Sequence, residues 1–187
     1  MSKRIVVLFS GEGTNLQKLL EALPPLGVEI VAAVTNRPEA RGIEKAAAFG
    51  VPVEVLDHKA YNSRETFDAA LVETIEKYEP HLTVTAGFMR ILTPVFTDRV
   101  KAVNLHPSLL PKHKGANAIM KAYESGDAVC GVSVHWVTGE LDGGEVIAQA
   151  AFERIPAMSA EDFEAAIHAL EYDLLPKTVA ALLTPEW

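Results

Sequence analysis

The stretch from Ile5 to Leu16 reads IVVLFSGEGTNL: five apolar residues, a turn with two glycines, and the start of a helical pattern. We predict a buried strand over Ile5–Phe9 and a helix over Asn15–Leu23, which ends before Pro24-Pro25. The turn between them, from Ser10 to Gly13, joins the end of the strand to the beginning of the helix. This order of elements is typical of a sheet covered by helices.

The same alternation continues through the first hundred residues. Strands rich in Val and Ile on both faces, separated by helices, indicate a parallel sheet that is covered on both sides. We predict further strands over Glu29–Thr35, Val51–Leu56 and Leu82–Ala86, and helices over Arg41–Phe49 and Ser63–Tyr78.

The second half of the chain departs from this rhythm. A short strand over Val100–Leu105 leads into His106-Pro107-Ser108, and we predict a helix over Asn117–Glu124. The alternating segment Val129–Val137 and the segment Val146–Phe152 flank a glycine-rich turn, which indicates an antiparallel pair. Ser159 begins the last helix. We therefore predict one α/β domain over residues 1–187: a doubly wound, Rossmann-like fold with a mostly parallel sheet and an antiparallel pair in its C-terminal half.

Composition excludes several classes of function. A chain of 187 residues buries roughly 70% of its unfolded surface, which is enough for one sizeable core. Seventeen basic and 25 acidic residues give a net charge of −8, which argues against nucleic-acid and membrane-surface partners. The run Ile5–Phe9 is too short for a signal peptide, and Cys130 is the only cysteine, so we predict a cytoplasmic protein.

The glycine-containing turn before the first helix is a candidate phosphate site. Backbone amides at a helix N-terminus point at an anion. A dinucleotide fingerprint would have a third glycine at Leu16, and a nucleoside-triphosphate loop would have Gly-Lys-Ser/Thr. Because both are absent, the segment Gly11–Asn15 favours a single phosphate monoester. A turn required only by backbone geometry stays open as the alternative.

Polar residues beyond the strand Val100–Leu105 are candidates for acid–base chemistry. Ligands of doubly wound sheets collect beyond the carboxyl ends of the strands, where Asn104 and His106 fall. Asn can donate to an oxyanion, and His exchanges a proton near neutral pH. Asp142 lies in a glycine-rich loop with no apolar pattern around it. The alternatives are a structural histidine and an aspartate that only stabilises a turn.

Other reactive residue types do not form a recognisable site. His58, His81, His113 and His168 have no metal-ligand spacing and no cysteine to support them, so we predict no metal. Cys130 has no evident base beside it and is interpreted as a packing thiol. The apolar segment Phe88–Leu92, with one cation, suits a flat aromatic ligand or closure of the core.

Four segments, in this order and nearly along the whole chain, resemble the folate-dependent phosphoribosylglycinamide formyltransferase family: Ser10–Gln17, Ala86–Leu92, Asn104–Pro111 and Ser133–Gly144. The resemblance implies direct formyl transfer from 10-formyltetrahydrofolate, a co-substrate, to the amine of glycinamide ribonucleotide in purine synthesis. It also implies small-molecule partners, a monomer or homodimer, and different roles for the two halves of the chain. The N-terminal half would bind the nucleotide phosphate, and the C-terminal half would hold the catalytic and folate-binding residues.

The resemblance assigns roles to individual residues. Asn104, His106 and Asp142 match the family's catalytic trio. Gly13, Thr14 and Asn15 match its substrate-phosphate loop, and Glu171 matches a carboxylate that meets the glycinamide end of the substrate. The positions that match folate contacts are Arg64, Met89, Arg90, Ile91, Leu92, Asn104, Thr138, Gly139, Glu140 and Leu141.

One segment departs from the family pattern. In Lys112–Asn117, Lys114 stands where relatives usually have Pro, and Asn117 stands where they have His. Within the same superfamily, a methionyl-tRNA formyltransferase would normally add a nucleic-acid domain and a 10-formyltetrahydrofolate hydrolase an N-terminal regulatory domain. A different class, a phosphorylated-metabolite binding module without turnover, would show no absorbance change with 10-formyl-folate and any amine.

Overall fold

Seven strands form one sheet in the computed structural model, which describes residues 1–184. The sheet order is β3-β2-β1-β4-β5-β6-β7, with β1 to β5 parallel and β6 antiparallel to both of its neighbours. The fold-class prediction is confirmed, including the antiparallel pair. The strands are β1 Lys3–Phe9, β2 Val28–Thr35, β3 Val53–Val55, β4 Leu82–Thr85, β5 Ala102–His106, β6 Val129–Trp136 and β7 Val146–Glu153.

Helices connect the parallel strands and cover both faces of the sheet. The last helix begins at Ser159, whose side chain accepts a hydrogen bond from the Asp162 amide at 3.1 Å, as the sequence indicated. Single 3₁₀ turns occupy Pro24–Leu26 and His58–Ala60. The helices are α1 Thr14–Ala22, α2 Gly42–Ala48, α3 Arg64–Glu76, α4 Pro94–Thr97, α5 Ala118–Ser125 and α6 Ala160–Leu183.

Two elements differ from the sequence prediction. The strand predicted over Val51–Leu56 is only Val53–Val55, because the Val51 amide bonds to Ala46 at the end of α2 and Pro52 has no amide hydrogen. Helix α4 was not predicted. It has four residues, fewer than one apolar repeat of an amphipathic helix needs.

Strand β1 sends alternate side chains into two separate apolar layers. Ile5, Val7 and Phe9 pack in the layer that contains α1 and α6, whereas Val6 and Leu8 pack in the layer that contains α3. All five are fully buried. A strand covered on both faces needs apolar side chains at every position, which explains the unbroken run in the sequence.

The chain leaves β1 and β4 toward opposite sides of the sheet, so their carboxyl ends form a crevice. Ser10 connects the two loops there. Its amide donates to the Gly87 carbonyl at 3.0 Å, and its hydroxyl accepts from the Met89 amide at 2.7 Å. The fold therefore places the glycine turn and the segment after β4 side by side.

Gly13 is required by the packing of this crevice. Its φ is +69°, and a Cβ there would lie 2.6 Å from the Cα of Gly42 in α2. Any larger side chain would push the two backbones apart.

No helix among residues 1–184 combines the length and the apolar character that crossing a membrane requires.

Candidate active site

Neighbouring strands and one loop bring four polar side chains together. Asn104 and His106 project from the end of β5 on the same face, because they are two residues apart. In the antiparallel register of β5 with β6, Asn104 lies opposite His135. Asp142 reaches the cluster from the loop between β6 and β7. The structure thus brings together the three residues that the sequence singled out, and adds His135.

The Asn104 amide is held at both ends. Its Oδ1 accepts from Thr85 Oγ1 at 2.6 Å, and its Nδ2 lies 3.1 Å from Nε2 of His135. Nδ1 of His135 lies 2.9 Å from the carbonyl of Trp136, which can only accept. A neutral His135 therefore carries its proton on Nδ1 and accepts from Asn104 through Nε2. This leaves the second amide hydrogen of Asn104 for a ligand.

His106 is buried between a backbone carbonyl and a carboxylate. Its Nε2 lies 2.9 Å from the carbonyl oxygen of His113, and its Nδ1 lies 3.5 Å from Oδ2 of Asp142. Both side chains are 7% exposed, so water screens this pair weakly. The arrangement directs Nδ1 toward the carboxylate.

Asp142 is held as a carboxylate. Burial alone raises its pKa, but the contact with His135, the hydrogen bond from the Gly115 amide and the nearby His106 outweigh burial and lower the pKa below its ordinary value of 3.8. The Gly115 amide donates to Oδ2 at 2.8 Å, and Oδ1 lies 3.6 Å from Nε2 of His135. At neutral pH the site therefore contains a negative charge directed at two imidazoles.

His135 is the member of the cluster that the sequence reasoning missed. The alternating segment Val129–Val137 predicted a strand there but identified no partner for the His135 side chain. The missing information was the register of β6 against β5, which pairs His135 with Asn104. The sequence does contain one relevant signal. His135 lies in a predicted strand, and a strand that pairs with the one carrying Asn104 and His106 can add its histidine to the same cluster.

The candidate phosphate residues lie at the start of α1, close to α6. Gly13 is the N-cap residue of the helix and, as a glycine, has no side chain to cap the first amides. Asn15 Nδ2 donates to Oε2 of Glu171 at 3.3 Å, and Asn15 Oδ1 is buried and accepts no hydrogen bond from residues 1–184. Oε1 of Glu171 lies 2.6 Å from Nδ1 of His168. Asn15, at the start of α1, is thus in direct contact with Glu171 of α6.

His168 carries a perturbed imidazole. The hydrogen bond to Glu171 raises its pKa above the ordinary 6.5; partial burial opposes this shift, and Glu164 adds to it. Glu164 Oε1 lies 3.3 Å from its Nε2. The carboxylate of Glu171 therefore has a cation on one side and the Asn15 amide on the other.

The candidate folate positions form two exposed segments. After β4, the side chains of Met89 and Ile91 point into solvent, whereas Leu92 packs against the core. Arg90 stacks its guanidinium on the Phe67 ring, 4.6 Å from the centroid. The packing of Leu92 agrees with closure of the core, and a flat aromatic ligand at Met89 and Ile91 stays a prediction. Arg64 is exposed at the start of α3, and Leu141 is exposed in the loop with Thr138, Gly139 and Glu140.

The segment that departs from the family pattern borders the cluster. Lys114 lies 3.4 Å from the Glu140 carboxylate. Asn117 precedes α5 with a φ of +58°, a left-handed conformation that Asn tolerates better than most residues. In this position Asn117 has a conformational role at the start of the helix.

Two other features lie apart from the cluster. A groove of about 580 Å³ opens at the amino-terminal ends of β1 and β2, where Arg4, Phe49 and Tyr78 line it. Ligands of doubly wound sheets bind at the opposite end. Within residues 1–184, no group of three or more His, Cys, Asp or Glu side chains could hold a metal ion. The absence of a metal from the reaction stays a prediction.

The sequence and the fold match characterised proteins along nearly the whole chain. A model of the formyl transferase family matches residues 3–179. Phosphoribosylglycinamide formyltransferase of Escherichia coli K12 is 39% identical over 180 residues, which cover 94% of this chain and 85% of that protein. The trifunctional purine biosynthetic protein adenosine-3 of Chironomus tentans is 39% identical over 183 residues, 95% of this chain but 13% of that protein. The crystal structure of phosphoribosylglycinamide formyltransferase from Campylobacter jejuni superposes with a TM-score of 0.93 at 50% identity, covering 98% of this chain and 99% of that one.

Proposed function

The chain belongs to the formyl transferase family and is an enzyme, and we propose that it transfers the formyl group of 10-formyltetrahydrofolate to the amine of glycinamide ribonucleotide. The product is the N-formyl nucleotide of purine synthesis. The observation that carries the proposal is the cluster of half-buried Asn104 with buried His106 and Asp142 at the carboxyl end of β5. Its donors and its carboxylate are already held in place by other protein groups.

The chemistry assigns a task to each member of the cluster. The amine nitrogen attacks the formyl carbon, and the carbonyl oxygen becomes an oxyanion. The remaining amide hydrogen of Asn104 stabilises that oxyanion, because a donor that is already oriented needs no reorganisation. Nδ1 of His106 accepts the proton that the amine loses and returns it to the folate nitrogen as the old C–N bond breaks. Asp142 stabilises the imidazolium that forms between these two steps.

Direct transfer, without an acyl-enzyme intermediate, agrees with the surroundings of Ser108 and Cys130, the two residues considered as nucleophiles. Ser108 is buried, and its hydroxyl donates to the Lys112 carbonyl. Burial raises the pKa of the Cys130 thiol above its ordinary value, and Asp127 raises it further. An activated nucleophile needs an adjacent base or a lowered pKa, and these surroundings supply neither.

Contacts on either side of the cluster suit the two substrates. The amides at the start of α1 suit the phosphate, and Glu171 suits the ammonium or amide hydrogens of the glycinamide end. The exposed apolar side chains of Met89, Ile91 and Leu141 suit the flat ring system of a folate. A cytoplasmic location and a monomer or homodimer stay predictions.

The test follows the absorbance change of 10-formyltetrahydrofolate as it loses its formyl group. The acceptors compared are glycinamide ribonucleotide, the same compound without its phosphate, methionyl-tRNA and water. We expect turnover with the nucleotide and a much lower kcat/KM without the phosphate, since phosphate binding energy orients the distant amine. Gly13 variants are unsuited to this test because they would also disturb the packing against Gly42.

Each other outcome identifies a different function. Equal kcat/KM for the two glycinamide acceptors would remove the phosphate role of Gly13, Thr14 and Asn15. Turnover with water alone would indicate a hydrolase, and turnover with methionyl-tRNA a tRNA formyltransferase. No absorbance change with any acceptor would indicate a binding module.

A further inference from the structure

The segment Lys112–Asn117, called here the 112–117 loop, contacts the cluster through its backbone. The carbonyl of His113 accepts from Nε2 of His106 at 2.9 Å, and the amide of Gly115 donates to Oδ2 of Asp142 at 2.8 Å. The position of this backbone therefore decides how two members of the cluster are oriented.

The backbone of this loop adopts an unfavourable conformation. His113, Gly115 and Asn117 have φ values of +54°, +81° and +58°. Glycine adopts this region freely and asparagine tolerates it, but the Cβ of a histidine crowds the neighbouring carbonyl there. A histidine held in this conformation needs contacts elsewhere that keep it in place.

The His113 side chain supplies such a contact. Its Nε2 lies 3.1 Å from Oδ2 of Asp127, two residues before β6, and the side chain is one-fifth exposed. Lys112 Nζ lies 3.3 Å from the same oxygen. The hydrogen bond from His113, followed by the one from Lys112, lowers the pKa of Asp127 below its ordinary value, so the anchor is a carboxylate at neutral pH.

We propose that His113 is a positioning residue: its side chain, held by Asp127, keeps its own carbonyl against His106 and thereby selects which ring nitrogen of His106 carries the proton. A carbonyl oxygen only accepts, so the neutral ring has its proton on Nε2. Nδ1 then presents its lone pair on the side of Asp142. Without the His113 carbonyl, the proton can move to Nδ1, where it donates to Asp142, and the basic lone pair turns away from the cluster.

The first experiment measures the tautomer of His106 in the free protein. Long-range ¹⁵N–¹H correlations distinguish the two neutral forms at a pH high enough to keep the imidazole neutral, and a His106→Asn variant identifies the signals. We expect Nε2–H in the wild type. His113→Phe keeps a ring but loses the donor, and Asp127→Ala removes the anchor; both should show a substantial share of Nδ1–H.

Two matched variants separate positioning from a general loss of structure. Asp127→Asn keeps an acceptor for His113 and should retain the Nε2–H form. Lys112→Met removes the ammonium group at Asp127 and leaves the His113 contact, so it should also behave as the wild type. Circular dichroism of every variant confirms that it is folded. A His113→Phe protein that keeps the Nε2–H form would overturn the proposal.

The second measurement is kinetic and rests on the proposed function. His113→Phe and Asp127→Ala should lower kcat roughly 10- to 100-fold, part of the contribution of a general base, with little change in either KM. Raised KM values with unchanged kcat would also overturn the proposal. Because the tautomer is measured without substrate, failure of the proposed formyl transfer would leave the first experiment intact.

Discussion

At the residue scale, the cluster concentrates polar groups in a place where burial makes each one costly. The Asn104 amide nitrogen pairs with Nε2 of His135. The Asn104 amide oxygen accepts from Thr85, and Nδ1 of His135 pairs with the Trp136 carbonyl. Low local dielectric strengthens satisfied networks and penalises broken ones. Loss of one member should therefore change both the stability of the protein and the orientation of the groups that remain.

A double-mutant cycle tests the coupling of His106 with Asp142. His106→Ala should lower kcat/KM by roughly 10²- to 10⁴-fold, because it removes the general base. Asp142→Asn should lower it as well, since no charge then stabilises the imidazolium. We expect the double variant to be scarcely worse than His106→Ala alone, because residues that act as a unit are non-additive. Multiplicative losses in variants with normal thermal melts would show that the two act independently.

His135→Phe should disorient the Asn104 amide. The substitution leaves Asn104 Nδ2 and the Trp136 carbonyl without their partner, which costs about 1–3 kcal/mol in the free energy of unfolding. We expect kcat to fall at least about tenfold with a smaller change in KM, because an oxyanion donor acts mainly in the transition state. His135→Gln, which can still accept from Asn104, is the matched control. Loss of stability with unchanged kcat would exclude His135 from orienting the donor.

Sequence position singled out three residues that the structure brings together. Asn104 and His106 were chosen because ligands of doubly wound sheets collect beyond the carboxyl ends of strands, and Asp142 because its glycine-rich loop has no apolar pattern. Their catalytic roles stay predictions. His135 and His113 were missed for different physical reasons. The role of His135 depends on strand register, and that of His113 on its backbone carbonyl, which the identity of a side chain does not reveal.

At the element scale, α6 makes a contact that its sequence pattern alone does not show. Its buried residues include Glu171, whose carboxylate faces Asn15 at the start of α1. His168, one helical turn earlier, completes the ion pair. Only the resemblance pointed to Glu171, since an i, i+3 pair of His and Glu on a helix is ordinarily a surface feature.

The pair of His168 and Glu171 gives α6 a pH-dependent contact. The pKa of His168 is raised in the fold, so the contribution to stability is fully present below 6.5 and is lost as pH rises through the higher folded value. The difference in melting temperature between the wild type and His168→Gln should therefore shrink as the pH rises above 6.5. A difference that grows with pH would contradict the ion pair.

Short elements limited the element-level prediction. Helix α4 depends on Asp68 of α3, whose Oδ2 accepts from both the amide and the hydroxyl of Thr93 at 2.7 Å. The two residues are 25 positions apart, so no local sequence pattern predicts this contact. The longer strands and helices follow directly from their apolar periodicity, because burial on one or both faces determines that pattern.

At the scale of the whole molecule, the site is assembled from segments far apart in sequence. The glycine turn after β1, the loop after β4, the end of β5, the β6–β7 loop and α6 all contribute. The alternating pattern predicted the sheet and the carboxyl ends of its strands as the binding edge, which agrees with the position of the first three; the strand order comes from the structure. The approach of α6 to α1 follows from packing between distant apolar residues, which a single sequence does not specify.

Glycinamide ribonucleotide should stabilise the entire domain, since it would connect α1 to α6. At a concentration one hundred times its Kd, a ligand adds about 2.7 kcal/mol to the free energy of unfolding. For a chain of this size that corresponds to a rise in melting temperature of roughly 5–10 °C. The compound without phosphate, at the same concentration, should shift it far less. Equal shifts would contradict the phosphate contact at α1.

The single thiol has a practical consequence. Cys130 is 3% exposed in β6, and its Sγ lies 3.5 Å from the carbonyl of Asp127, the anchor of the 112–117 loop. Thiol-reactive reagents need the exposed thiolate, so alkylation has to wait until this part of the sheet opens. The rate at which Cys130 is alkylated therefore measures local opening of the sheet next to the 112–117 loop. Weakening the contact of His113 with Asp127 should raise that rate.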